Sequence, residues 1–239
     1  LTLAIVLCCA THAFSAISIS SLPFNCTVPN EVYVVSQDLS LNSGNAITIS
    51  ANNVIINGNG KTITYAVTGA GYGIYINTSV TSLEIYNITI TQGAYDPVAG
   101  ERVHGIFRNG NFSGVKIHNN TININHGGGV SNAFGYGIYF SDFNNNLANI
   151  EIYSNTINMS GTSGGRAISF NTSIAVSLAA LIHHNTIVAS NLGSSPAGYP
   201  SAITILGFGA GINGSEVQIY ENTVTVNPSC SLFQGIGAW

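Results

Sequence analysis

One phrase returns along this chain at nearly constant spacing, and it restricts the fold more than any other feature. Val115 to Asn125 reads VKIHNNTININ, and close copies stand at Leu83 to Thr91, Ile150 to Met159, Leu181 to Val188 and Val217 to Val226. Each copy holds two apolar residues five positions apart: Ile85 and Ile90, Ile117 and Ile122, Ile152 and Ile157, Ile182 and Ile187, Ile219 and Val224. A second phrase, Gly or Ala followed by Ile, recurs between them at Ile47, Ile74, Ile106, Ile138, Ile168, Ile203 and Ile236, with steps of 27, 32, 32, 30, 35 and 33 residues. Short alternating strands at such a period, without helical periodicity, predict a solenoid in which each repeat is one coil.

The spacings also describe the coil. A gap that never changes marks a tight turn between two strands, and a gap that varies marks a surface loop. The fixed gap carries Asn120, Asn155, Asn185 and Asn222. Asparagine tolerates the left-handed conformation of a sharp corner, and stacked copies can hydrogen-bond along the coil axis, so these four predict an asparagine ladder.

With these motifs the chain resembles the right-handed parallel β-helix superfamily, the architecture of pectate lyases, polygalacturonases and many surface proteins without known activity. The resemblance covers roughly residues 31–239, and Asn45 to Thr64 looks like a first coil with a glycine-rich turn before its strand. It implies an all-β solenoid of about seven coils, one for each copy of the second phrase. Fold alone does not imply activity. Pectin-cleaving members carry aspartates, a calcium site or an arginine base on one face of consecutive strands. The outward positions expected here are Tyr75 and Asn77, Phe107 and Asn109, Tyr139 and Ser141, Ser169 and Asn171, which offer no carboxylate pair.

The N-terminal 1–30 segment reads as an apolar export signal or, if retained, as a cap or donor strand; residues 31–239 read as one β-helix domain. Leu1 to Ala10 is too short for a stable membrane span. Only 6% of residues are charged and the net charge is −4, which leaves no basic stripe for nucleic acid, while 45% hydrophobic content argues against disorder. Such a surface must be covered by Asn, Ser, Thr and Gly, and a sugar coat is a hypothesis that would add to its solubility. Sequons at Asn25, Asn77, Asn87, Asn111, Asn119, Asn158, Asn171 and Asn213 supply acceptors for covalent N-glycans in an extracellular or cell-surface protein. Of the cysteines Cys8, Cys9, Cys26 and Cys230, the last two stand about 30 Å apart along the solenoid and cannot pair within one copy. They are either free or locally paired thiols, or junction disulfides in a head-to-tail stack, where Cys8 or Cys9 would serve equally.

The charge that is present concentrates in Asp96, Glu101, Arg102, His104 and Arg108, followed by His126, Asp142 and Arg166. An acid, a histidine and arginines suit binding and proton abstraction on a uronic acid, and also suit a charge-satisfied loop. Tyr75, Phe107 and Tyr139 form a candidate sugar-stacking row or a packed aromatic row. Tyr86, His118, Tyr153, His183 and Tyr220 form a second surface row, whose intervening tyrosines argue against zinc, and adjacent His183 and His184 are expected on opposite sides of a strand, where they do not chelate easily. No metal or other cofactor is expected. The sequence thus favours a non-catalytic structural subunit that self-assembles head-to-tail; the alternatives are a lyase or hydrolase of acidic polysaccharide, or a carbohydrate-binding adhesin.

Overall fold

A computed structural model describes residues 16–77, 80–98, 100–110, 112–126, 134–142, 147–161, 165–173, 178–190, 200–208, 216–227 and 234–238. The chain is a right-handed parallel β-helix: every strand pair is parallel, and the strands form three sheets of eight, seven and eight. Sheet 1 contains Leu83–Tyr86 and Phe112–His118, sheet 2 Thr89–Gln92 and Thr121–His126, and sheet 3 Gly71–Ile76 and Arg102–Asn109, with their counterparts in the other coils. From Val32 onward each turn of the chain visits sheets 1, 2 and 3 in that order, while the first turn passes from sheet 1 at Ile17–Ile19 to sheet 3 at Phe24–Cys26. Sheet 2 has seven strands, so seven complete coils stack among the described residues. The stack begins before residue 31, because Ile17–Ile19 pairs with Val32–Val35 and Phe24–Cys26 with Gly44–Ile49.

Three columns of isoleucine fill the interior. Ile85, Ile117, Ile152 and Ile182 are in register in sheet 1, Ile90, Ile122, Ile157 and Ile187 in sheet 2, and Ile74, Ile106, Ile138, Ile168 and Ile203 in sheet 3. All of these side chains are fully buried. β-Branched residues suit the pleated wall, and identical side chains one coil apart interlock along the axis.

The corner between sheets 1 and 2 uses two residues. The first is left-handed and faces outward: Asn87, Asn119, Ser154, His184 and Glu221 have φ between 52° and 55°. The second turns inward, and here the predicted ladder forms. Asn120 Nδ2 donates to Asn155 Oδ1 (3.0 Å), Asn155 Nδ2 to Asn185 Oδ1 (3.0 Å) and Asn185 Nδ2 to Asn222 Oδ1 (2.9 Å). Each oxygen also accepts the backbone N–H of the ladder residue below, as Asn155 Oδ1 does from Asn120 at 3.1 Å. The left-handed residue is therefore the one before the ladder asparagine, and Asn120, Asn155, Asn185 and Asn222 themselves do not have positive φ.

Sheet 3 bends at the residue before its isoleucine. The register skips Gly73, Gly105 and Gly137, and only a small residue fits there: a Cβ on Gly105 would lie 2.7 Å from the Gly137 carbonyl oxygen and 2.7 Å from Ile122 Cγ2. This packing explains the glycine of the phrase at 73, 105 and 137; Ala46, Ala167 and Ala202 stand at the same place in other coils. Cys26 is free and buried, facing inward in register with Ile49; burial pushes its thiol up to about 12. A thiol so placed packs the core and does not reach a neighbouring subunit. Cys8, Cys9 and Cys230 lie outside the described residues.

Two substitutions test this packing. Gly105→Val is expected to destabilise the fold by about 1–3 kcal/mol in chemical denaturation, whereas Gly235→Val, with nothing within 4 Å of the added Cβ, is expected to stay within about 0.5 kcal/mol of the parent. Asn155→Ala leaves the Asn120 backbone N–H and both neighbouring amides short of partners, and is expected to cost about 3 kcal/mol, read as a lower denaturation midpoint at unchanged slope.

Candidate functional site

The functional candidates occupy the outer faces of sheets 3 and 1. On sheet 3 the bend at Gly73, Gly105 and Gly137 places residues three apart on the same side, so two outward columns run together. One is Tyr72, His104, Tyr136 and Arg166; the other is Tyr75, Phe107, Tyr139 and Ser169. Within the first, ring centroids are 5.3 Å apart for Tyr72 and His104 and 4.9 Å for His104 and Tyr136. Within the second they are 5.8 Å for Tyr75 and Phe107 and 5.5 Å for Phe107 and Tyr139. The columns also touch each other, with Tyr72 4.7 Å from Phe107 and Tyr136 4.5 Å from Tyr139.

This cluster is a small second core outside the main one. Phe107, Tyr136 and Tyr139 are each 6% exposed, which leaves Tyr72 and Tyr75 as the half-exposed rings. Arg166 lies over the Tyr136 ring at 5.6 Å, a cation–π distance. Burial pushes the Tyr136 phenol up to about 12, against the opposing pull of Arg166 and Arg102; burial likewise raises Tyr72, against Arg102. His104 is fully buried, and its Nδ1 lies 2.8 Å from the Val103 carbonyl oxygen and 3.3 Å from the Tyr136 backbone nitrogen.

The charged residues singled out in the sequence are only partly brought together. Arg102, His104 and Arg166 meet at the aromatic cluster. Arg108 goes the other way: it shares a register position with the core residues Ile76 and Phe140, is fully buried, and donates from Nε to the Gly110 carbonyl (3.2 Å) and from Nη1 to the Asn77 carbonyl. It holds the strand ends, and its direction removes it from any groove on the outer face. Asp96 is exposed, while Glu101 staples its own loop by accepting the Tyr95 hydroxyl (2.5 Å) and the Val98 N–H (3.1 Å). The side chains of His126 and Asp142 lie outside the described residues.

Sequon asparagines fall into two groups. Asn25, Asn87 and Asn119 are exposed. Asn77, Asn158 and Asn171 are half-buried; the Asn158 amide donates to Asn123 Oδ1 (2.8 Å) and the Asn171 amide to the Tyr139 hydroxyl (3.2 Å). Asn111 and Asn213 lie outside the described residues.

On sheet 1, Tyr86, His118, Tyr153, His183 and Tyr220 stack almost face to face, with centroid spacings of 5.3, 4.6, 5.2 and 4.8 Å and interplanar angles of 10° or less. A neighbouring column supplies carboxylates to the histidines: His118 Nε2 is 2.8 Å from Glu84 Oε1 and His183 Nε2 is 3.4 Å from Glu151 Oε1, which also pairs through Oε2 with Lys116 at 3.5 Å. His184 does not point away from His183 as strand alternation would require. Its positive φ turns the ring back, so the two Nδ1 atoms are 2.8 Å apart, and His184 Nε2 lies 2.7 Å from Glu221 Oε2.

Sequence reasoning missed Tyr72 and Tyr136 because it assumed unbroken alternation. The signal was present as a recurring aromatic-Gly-Ile-aromatic phrase at 72–75, 104–107 and 136–139. No helix among the described residues is long and apolar enough to cross a membrane, and no three or more His, Cys, Asp or Glu side chains there converge as ligands for one metal ion. Comparison of the chain with protein-family models, curated proteins and solved structures gives no match.

The buried phenol gives a pH test. Because Tyr136 ionises near 12 when folded and near 10 when unfolded, its contribution to stability is complete below pH 10 and is lost as pH rises toward 12. Tyr136→Phe is expected to remove about 2–3 kcal/mol of this alkaline loss, measured as the difference in denaturation midpoints between parent and variant across that interval.

Proposed function

We propose that this protein is a non-catalytic structural subunit of the pectate-lyase-like β-helix superfamily, displayed outside the cell and assembling head-to-tail. The observation that carries this reading is the apolar edge of the last described coil. Ile236 is 59% exposed and Val226 40%, whereas their register partners one coil earlier, Ile203 and Ala189, are completely buried. An interior column that surfaces in this way is a template for one more coil. One more parallel coil would cover this edge, supplied by residues that follow 239 or by a second copy, whose strands Ile17–Ile19 and Phe24–Cys26 run in the same direction and continue sheets 1 and 3; the head-to-tail reading takes the second copy. Burying Ile236 and Val226 there contributes about 1.5–3 kcal/mol each at most.

The low charge content supports the same reading, since little electrostatic repulsion opposes stacking. Exposed Asn25, Asn87 and Asn119 are the sequons best placed for glycans that would solubilise the sides of a fibre. Asn87 and Asn119 stand one coil apart, about 4.8 Å, so two glycans there would crowd each other.

A second reading rests on the guanidinium groups of sheet 3. Arg102 and Arg166, beside half-exposed Tyr72 and Tyr75, suit a uronate carboxylate and a sugar face, which favours binding of acidic polysaccharide.

Sedimentation of the parent and of Ile236→Lys tests the first reading. A concentration-dependent series of oligomers in the parent, abolished in Ile236→Lys at unchanged thermal stability, is expected. Monomers at every concentration in both proteins would overturn it, and saturable binding of polyuronate lost in Arg166→Ala would then select the second.

A further inference from the structure

With both rings neutral, His183 and His184 make an arrangement that hydrogen bonding within the chain does not complete. Carboxylates only accept hydrogen bonds, so the contacts of His183 Nε2 with Glu151 (3.4 Å) and of His184 Nε2 with Glu221 (2.7 Å) place an N–H on each Nε2. In a neutral imidazole that choice leaves Nδ1 as a lone pair. Two such lone pairs then face one another across 2.8 Å, where neither has a proton to donate. The contact calls for a positive centre between the rings.

Carboxylates behind both rings match the outer support of metal-bound histidine, in which the distal N–H is held by an acceptor and the near nitrogen is turned to the ion. The rings are nearly perpendicular, at 82°. Two nitrogens each about 2.0–2.1 Å from a tetrahedral ion would stand about 3.3 Å apart, so the pair needs to open by only about half an ångström. The His184 side chain is 55% exposed on an outward corner and is able to move by that amount, while His183 is fixed between Tyr153 and Tyr220.

We propose that His183 and His184 chelate one divalent transition-metal ion through their Nδ1 atoms, with Glu151 and Glu221 orienting the rings and water completing the coordination. Imidazole donors select Cu2+, Ni2+ and Zn2+ over Mg2+ and Ca2+, and Cu2+ binds most tightly in that series. The coils that contribute Glu151, the histidines and Glu221 are adjacent, so the carboxylates that orient the two ligands come from the coil on either side.

Calorimetric titration of the parent, His184→Asn and Glu221→Gln with Cu2+ and with Zn2+ near neutral pH tests this. Asparagine is the natural control, since Asn87 and Asn119 occupy the same corner with the same backbone conformation. The parent is expected to bind one Cu2+ more than His184→Asn, with a rise in melting temperature that the variant lacks. Glu221→Gln is expected to weaken that site by about tenfold. The melting temperatures of the metal-free proteins confirm that all three are folded. Equal stoichiometry and affinity in parent and His184→Asn would overturn the proposal and leave a shared proton as the positive centre; so would a Cu2+ site unchanged by Glu221→Gln, which would remove the carboxylate from its support.

Discussion

The structure depends on satisfying backbone and side-chain polar groups at a corner that water does not reach. A parallel β-helix pairs its strands coil to coil, but each corner interrupts the pairing, and an unpaired N–H buried there costs about 1–3 kcal/mol. The column from Asn120 to Asn222 removes this cost: one amide accepts the N–H of the ladder residue below while donating both along the axis and to a strand carbonyl, as Asn155 does to Ile117 O at 2.8 Å. Such a device works only if every coil has the same corner length. The invariant five-residue spacing of the isoleucines is therefore a consequence of the ladder as much as of the core.

Coils that must agree at the corner are free to differ elsewhere. Between sheets 3 and 1 and between sheets 2 and 3 the connections vary in length, and the outer faces vary in chemistry. Sheet 3 accepts a second layer of rings because its bend points positions 72 and 75 outward together, and the same bend requires Gly or Ala at the intervening residue. One steric requirement thus produces both a sequence phrase and an aromatic surface core. That core also removes Phe107 and Tyr139 from use as an open stacking platform, leaving Tyr72, Tyr75 and the arginines as its accessible edge.

Coil period, strand identity, the isoleucine columns and the ladder were legible because each repeats, and repetition reveals spacing without a structure. What failed to show was whatever depends on a single backbone angle. Assigning the left-handed residue to Asn120 instead of Asn119 misplaces it by one position, and the same oversight separates His183 from His184. Arg108 is a different case: alternation from Phe107 does place it inward, yet its charge invites a functional reading. The carbonyls of Asn77 and Gly110, which make its burial tolerable, are contributed by strand ends and cannot be recognised from sequence.

The two outer faces then divide by how their polar atoms are satisfied. On sheet 3, His104 and Tyr136 exchange contacts within a buried stack, and Arg166 is spent on a ring face, so the polar atoms there chiefly support packing. On sheet 1 the stacked rings fix the histidines sideways while carboxylates hold their far nitrogens, which leaves the near nitrogens directed at whatever lies beside the stack. For His118 that neighbour is the Asn119 amide at 3.0 Å, a donor that completes it. For His183 the corresponding corner residue is His184, a ring whose own proton is engaged by Glu221. The same left-handed corner position thus offers an amide donor in one coil and a second imidazole nitrogen in another, and the difference arises from Asn119 in the first and His184 in the second.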